Sequence, residues 1–222
     1  MSPRPGVAYV APVADLVIFD CDGVLVDSDR ISLRVQAERL CALGLEVSYE
    51  DCLRDFLGLG MPETLRIVED RLGHPVPPRW ADDLEVAVHR AFEDELTAVP
   101  GVAAALDEIA APICVASNGD HDKMRLTLSL TGLHQRFAGR IFSRHDVSRG
   151  KPAPDLFLHA ASSMGVAPGR CVVVEDSPVG ITAAKLAGMR ALGYAATTPP
   201  ERLAAADEVF TSMSELPGLL AT

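Results

Sequence analysis

The sequence predicts an α/β fold: a doubly wound parallel sheet interrupted by an inserted block of about four helices. Three observations predict it. Short, wholly apolar runs at 16–19, 113–116 and 171–174 read as strands buried on both faces, and each breaks off at a polar signature. From residue 98 onward, strand-like runs alternate with helical periodicity, as in a parallel sheet with crossover helices. Between 30 and 97 no convincing strand occurs.

In chain order, the first strand ends at Asp20-Cys21-Asp22-Gly23. Two carboxylates where a buried strand meets its loop are costly unless something positive, such as a divalent cation, neutralises them. Taken alone, the same residues also suit a solvated turn, which favours Asp and Gly. Residues 31–43 carry a helical apolar stripe that Gly44 closes. Ser48-Tyr49-Glu50-Asp51 reads as a capping box opening a short helix to Leu57. Pro62 starts a third helix, ended by Gly73, and Pro77-Pro78 precede a longer one through Leu96.

Residues 100–110 are helical, and the strand at 113–116 ends in Ser117-Asn118-Gly119. A helix at 120–130, a short strand at 140–143 and a break at Gly150-Lys151-Pro152 follow. A helix at 154–164 leads to the strand at 171–174, which ends in Glu175-Asp176-Ser177. A helix at 178–187 and strands at 191–194 and 208–210 complete the chain. The expected division is an α/β core of residues 15–29 plus 98–222, a helical cap of 30–97 and an N-terminal tail of 1–14. A helical block beside the carboxyl edge of a sheet is placed to act as a lid.

The 222 residues, 48% hydrophobic and 23% charged, suit a globular chain rather than a disordered one. A net charge of −11 without a basic stripe argues against nucleic acid or an acidic membrane surface as partner. A small anionic substrate stays compatible, because a bound metal inverts the local field. Five cysteines with no C-x-x-C pair fit a reducing, cytoplasmic compartment. Cys114 and Cys171 read as small core residues, and Cys21 lacks a nearby His that would make it a nucleophile. The proline-bearing first 14 residues read as a tail rather than a signal peptide, and no stretch approaches the ~18 apolar residues of a membrane span.

In a parallel sheet all strand carboxyl ends lie on one edge, so Asp20, Asp22, Ser117, Asn118, Lys151, Glu175 and Asp176 should converge there. Mg²⁺ prefers hard oxygen ligands, while a hydroxyl, loop amides and an ammonium suit phosphate oxygens. This constellation resembles the haloacid dehalogenase-like (HAD) hydrolase superfamily, in particular its phosphatases and phosphomutases with a helical cap. The motifs stand, in order, as 20–28, Ser117-Asn118, Lys151-Pro152 and 175–180, and the likeness covers nearly the whole chain.

The resemblance implies a Rossmann-like core and a Mg²⁺-dependent hydrolase of small phosphate esters, monomeric or a small homo-oligomer. It implies that Asp20 is the nucleophile, forming an aspartyl-phosphate, and that Asp22 is the general acid and base. Ser117, Asn118 and Lys151 would bind the phosphoryl group. Asp20, the backbone carbonyl of Asp22, Asp176 and Glu175, directly or through water, would hold the metal. Dehalogenases of the superfamily lack an acid at the position of Asp22. Its phosphonate hydrolases use a cap lysine, whereas the three lysines here, Lys123, Lys151 and Lys185, all lie outside 30–97. β-Phosphoglucomutases add a cap-loop arginine, where Met61 stands here, and a His after the first motif, near Ser32. Both departures favour a phosphatase, similar to bacterial enzymes acting on sugar phosphates, including 6-phosphogluconate. A phosphorylatable switch resembling response-regulator receivers gathers similar groups, but has no need of paired acids on one strand end or of a helical lid.

Outside the motifs the polar residues read as structural. His121 and Lys123 follow the Ser117 motif and could reach substrate, but are expected on the surface of a helix's first turn. Arg34 and Arg66 could meet a substrate anion, but are expected on solvated cap faces. Trp80 is expected in cap packing rather than as a sugar-stacking platform, and Asp27 in the turn into the cap.

Overall fold

A computed structural model of the chain describes residues 14–221. The N-terminal tail expected over 1–14 lies, apart from Ala14, outside the described residues. Strand β1 (Leu16–Phe19) sits inside a six-stranded parallel sheet with β2 (Ile113–Ser117), β3 (Ile141–Ser143), β4 (Cys171–Glu175), β5 (Arg190–Tyr194) and β6 (Glu208–Phe210). The order is β3-β2-β1-β4-β5-β6, and the register sets Phe19 beside Val115 and Val174. The chain steps outward from β1 to β2 and β3, then returns to the other side of β1 for β4. Loops leaving β1 and its neighbours therefore diverge, which opens a crevice at their carboxyl ends.

Between β1 and β2 come α1 (Ser28–Ala42), α2 (Tyr49–Phe56), α3 (Met61–Leu72) and α4 (Trp80–Glu95). The capping box of α2 is made: Ser48 Oγ accepts from the Asp51 N–H at 3.1 Å, and the Asp51 carboxylate accepts from the Ser48 N–H at 3.0 Å. α3 carries Pro62 in its first turn and stops at Gly73, whose φ of 75° lies in the left-handed region. These helices bury a cluster of their own, including Ile31, Leu40, Phe56, Val68, Trp80 and Phe92, so Trp80 packs inside the helical block. The chain segments at the two ends of the block run antiparallel. The Asp27 N–H donates to Thr97 O and the Val99 N–H to Leu25 O, each at 3.0 Å.

Successive strand residues point to opposite faces. Val17, Phe19, Val115, Val172 and Val174 face one buried layer under α5 (Val102–Glu108), α6 (His121–Leu130), α7 (His134–Phe137) and α10 (Leu216–Leu220). Leu16, Ile18, Cys114, Ala116 and Val173 face the other, under α8 (Asp155–Ser163) and α9 (Pro178–Leu186). Helices on both faces make this the doubly wound α/β fold expected. Apolar residues on both sides of β1 leave only its carboxyl end for polar chemistry.

Candidate active site

Asp20 follows β1, Ser117 ends β2, Glu175 ends β4 and Asp176 follows it, so the carboxyl edge gathers these side chains. Lys151 enters from the loop after β3. Its Nζ donates to Asp20 Oδ1 and Glu175 Oε1, each at 2.6 Å, with only 3% of the side chain exposed. Burial pulls the Lys151 pKa down, but Asp20 and Glu175 raise it by more, so the ammonium keeps its charge. Asn118 anchors this lysine: its Oδ1 accepts from the Lys151 N–H at 2.9 Å and its Nδ2 donates to Lys151 O at 3.1 Å. Both ends of the Asn118 amide are thereby engaged with the protein. Ser117 Oγ accepts from the Gly119 N–H at 3.2 Å, and Ser143 at the end of β3 braces the same loop through Gly119 O at 2.7 Å.

The second oxygen of Glu175 accepts from the Ser177 N–H at 3.0 Å and its hydroxyl at 2.8 Å. Ser177 also caps α9, accepting from the Gly180 N–H at 3.0 Å. Two glycines let the backbone approach the acids closely. A Cβ on Gly180 would lie 1.7 Å from Glu175 Oε1, and one on Gly23, whose φ is already 72°, would lie 2.0 Å from Asp176 Oδ2.

Asp22 is held at both oxygens. The Ser28 hydroxyl, in the first turn of α1, donates to Oδ1, and Lys123 Nζ donates to Oδ2 at 2.9 Å. The expected surface position of Lys123 is therefore corrected: its head turns inward, drawn by the excess of negative charge at the sheet edge. His121 does lie on the exposed side, paired with Asp146 at 3.0 Å. Arg34 pairs with Glu38 and Glu95, Arg66 with Glu63 and Asp70, and Asp27 with Arg30, all at the surface.

The charges separate the acids. Burial raises the Asp22 pKa, but Lys123, the Ser28 hydrogen bond and Lys151 together lower it further, below the ordinary carboxylate value. For Asp20, burial and the nearby Glu175 and Asp22 outweigh Lys151 and push its pKa up to about 7. Asp29, on the first turn of α1, is raised to about 6 by burial and then by Asp22. Asp176 is raised well above its usual range by burial and by Asp29, Glu175 and Asp20. Asp29 escapes a motif reading because an acid in a helix's first turn is ordinarily there for the helix dipole.

Ligand oxygens of Asp20, Glu175 and Asp176 all lie within 4.8 Å of one another. Among the described residues, the cations set against the acids Asp20, Asp22, Asp29, Glu175 and Asp176 are the ammonium groups of Lys123 and Lys151. No hydrogen bond reaches the buried Asp176 carboxylate among the described residues. Buried hard oxygens with surplus negative charge fit a divalent cation.

A family model of haloacid dehalogenase-like hydrolases matches residues 14–188. The chain belongs to this family. This HAD-like hydrolase is 35% identical over 208 residues to the 6-phosphogluconate phosphatase of Escherichia coli, covering 92% of this chain and 94% of that protein. It is 33% identical to the validoxylamine A 7'-phosphate phosphatase of Streptomyces hygroscopicus, with 90% and 95% covered. Among solved structures, a conserved HAD-like protein of Agrobacterium tumefaciens is 37% identical with a TM-score of 0.86, covering 94% of this chain and 98% of that one. With phosphatases at this similarity over nearly its full length, the chain is an enzyme of the phosphatase class. No helix among the described residues is long and apolar enough to cross a membrane.

Proposed function

We propose that the chain is a Mg²⁺-dependent phosphomonoesterase for small phosphorylated metabolites, of the sugar or sugar-acid phosphate kind, working through an aspartyl-phosphate on Asp20. The observation that carries this reading is a pair of acids, two residues apart at the sheet edge, each held by its own lysine: Asp20 by Lys151, Asp22 by Lys123. The sugar-phosphate classes named for the similar phosphatases support the substrate class.

Asp20 attacks phosphorus as the ester P–O bond breaks, and Asp22 gives its proton to the leaving oxygen. Lys123 and Ser28 hold Asp22 ionised without substrate; an arriving phosphate dianion raises its pKa by repulsion between like charges, and Asp22 takes up from solvent the proton that it then gives to the leaving oxygen. In the second half Asp22 takes a proton from water, the water oxygen bonds to phosphorus, and the Asp20–phosphorus bond breaks. Ser117, the main-chain amide of Asn118, and Lys151 hold the phosphoryl oxygens. Asp20, the carbonyl of Asp22, Asp176 and Glu175 would hold Mg²⁺, with Glu175, already engaged by Lys151 and Ser177, the natural water-mediated member. A bound Mg²⁺ supplies charge neutralisation for the transferring phosphoryl group.

Residues 30–97 act as a cap over the core of 15–29 plus 98–222, with the 57–63 loop facing the substrate's non-reacting part. Met61, 38% exposed at the start of α3, offers no charge to a second phosphate, which favours transfer to water over a mutase. Phosphate release from a metabolite panel, with and without Mg²⁺ and ranked by kcat/KM, tests the reading. Absence of metal-dependent release from every ester would overturn it, and bisphosphate-dependent interconversion of sugar monophosphates would replace it with a mutase.

A further inference from the structure

Lysine side chains ordinarily keep their ammonium in water, and an inward one needs a reason. Lys123 has water within reach: it sits in the first turn of α6, set there by Asp120, whose Oδ1 accepts the Lys123 N–H at 2.7 Å. Its side chain is nonetheless only 29% exposed and ends at Asp22 Oδ2. The stem runs past Gly119. From a Cβ built on Gly119, Ser117 Oγ would be 3.6 Å away, and Asp22 Oδ2 and Lys123 Cδ each 3.8 Å away. The phosphate-loop serine, the Asp22 carboxylate and the lysine stem thus line one small space. With Ser28 on the other oxygen, the carboxylate is gripped from α1 on one side and α6 on the other.

We propose that Lys123 is a positioning residue: it fixes Asp22 Oδ2 beside the Ser117 loop, so that the acid/base group meets the scissile ester in a single orientation. The inference rests on the phosphatase reading above. Lys123 exchanges no proton in either half-reaction. It orients the group that gives its proton to the leaving oxygen and then takes one from water. A purely structural ion pair would stabilise the fold equally for every substrate. In the first half-reaction, the part that kcat/KM reports, a positioning residue makes itself felt where the leaving oxygen needs a proton.

The experiment uses the full chain with Mg²⁺ and two esters, glucose 6-phosphate, whose alkoxide must be protonated, and 4-nitrophenyl phosphate, whose aryl oxide leaves unaided. K123M is expected to lower kcat/KM, which covers the steps through departure of the leaving group, on glucose 6-phosphate by at least about tenfold and on 4-nitrophenyl phosphate by less than about threefold. K123R recovers most of the loss, and K123M adds nothing to D22N. K123Q carries the same comparison should K123M not fold. Equal losses on the two esters, no loss, or a full additional loss on top of D22N would overturn the inference while wild-type turnover leaves the phosphatase reading standing. A wild-type protein inert on both esters and on the metabolite panel would overturn both.

Discussion

Replacing Gly180 with alanine tests whether the loop after β4 is built around Glu175. The new methyl carbon would lie 1.7 Å from Oε1, 1.8 Å from Cδ and 2.3 Å from Oε2 of that carboxylate, which is overlap rather than contact. Glu175 is 1% exposed and ends a strand paired on both sides, so it has no solvent to retreat into. Displacing its head breaks the 2.6 Å bond to Lys151 and the bonds from Ser177 at 2.8 and 3.0 Å. Overpacking of a filled interior costs about 1–3 kcal/mol. Breaking a buried ion pair by stranding one member costs about 3–5 kcal/mol. One displacement causes both effects, so they overlap, and the expected loss is about 3–5 kcal/mol. Urea unfolding reads it as a lower midpoint at unchanged slope. Gly218→Ala is the control: this glycine lies in α10 with nothing within 4 Å of an added Cβ, so about 0.5–1 kcal/mol of stabilisation is expected. A Gly180→Ala protein within about 1 kcal/mol of wild type and fully active would refute the reasoning.

Asp20→Asn should abolish turnover while leaving far-UV circular dichroism unchanged, and residual steady-state turnover in a pure preparation would show that another group attacks phosphorus. With metal removed by EDTA, the folded protein holds Asp20 at about 7 against 3.8 for the free side chain. It then binds more protons than the unfolded chain between those values, so stability falls as pH rises from about 5 to 7.5. Tm in EDTA should follow that fall and recover on adding Mg²⁺ at the upper pH, whereas a Tm climbing over the same range contradicts the charge balance described. Of the five thiols only Cys41 is exposed, so a native-state thiol titration should show one fast group, and rapid labelling of Cys21 would contradict its burial and raised pKa.

Much of the fold was legible because β1, β2 and β4 are short runs buried on both faces, and such runs stand out without any partner in view. The acids at their ends were legible for the same reason, since a parallel sheet sends every carboxyl end to one edge. Lys123 was not. Its helix has the periodicity of an ordinary surface element, and the charge that turns it inward lies 101 residues away in the chain. Nor was the early start of α1: Asp27-Ser28-Asp29 has the composition of a turn, yet Ser28 and Asp29 enter the helix and face the site. The segments α7 and α10, four and five residues long, are too short to display a period.

The paired segments at Leu25–Asp27 and Thr97–Val99 bear on how the two parts of the chain come to fold. Holding the ends of an unstructured insert of about seventy residues together would cost roughly 4 kcal/mol of chain entropy. Here α1 and α4 pack against each other, and the helical block brings its own ends side by side, so the strand pairing of β1 with β2 meets a closure already made. Conversely, a folded core clamps the block's ends and lowers the entropy of its unfolded form. Each part acts as a tether for the other, and weakening either one loosens both.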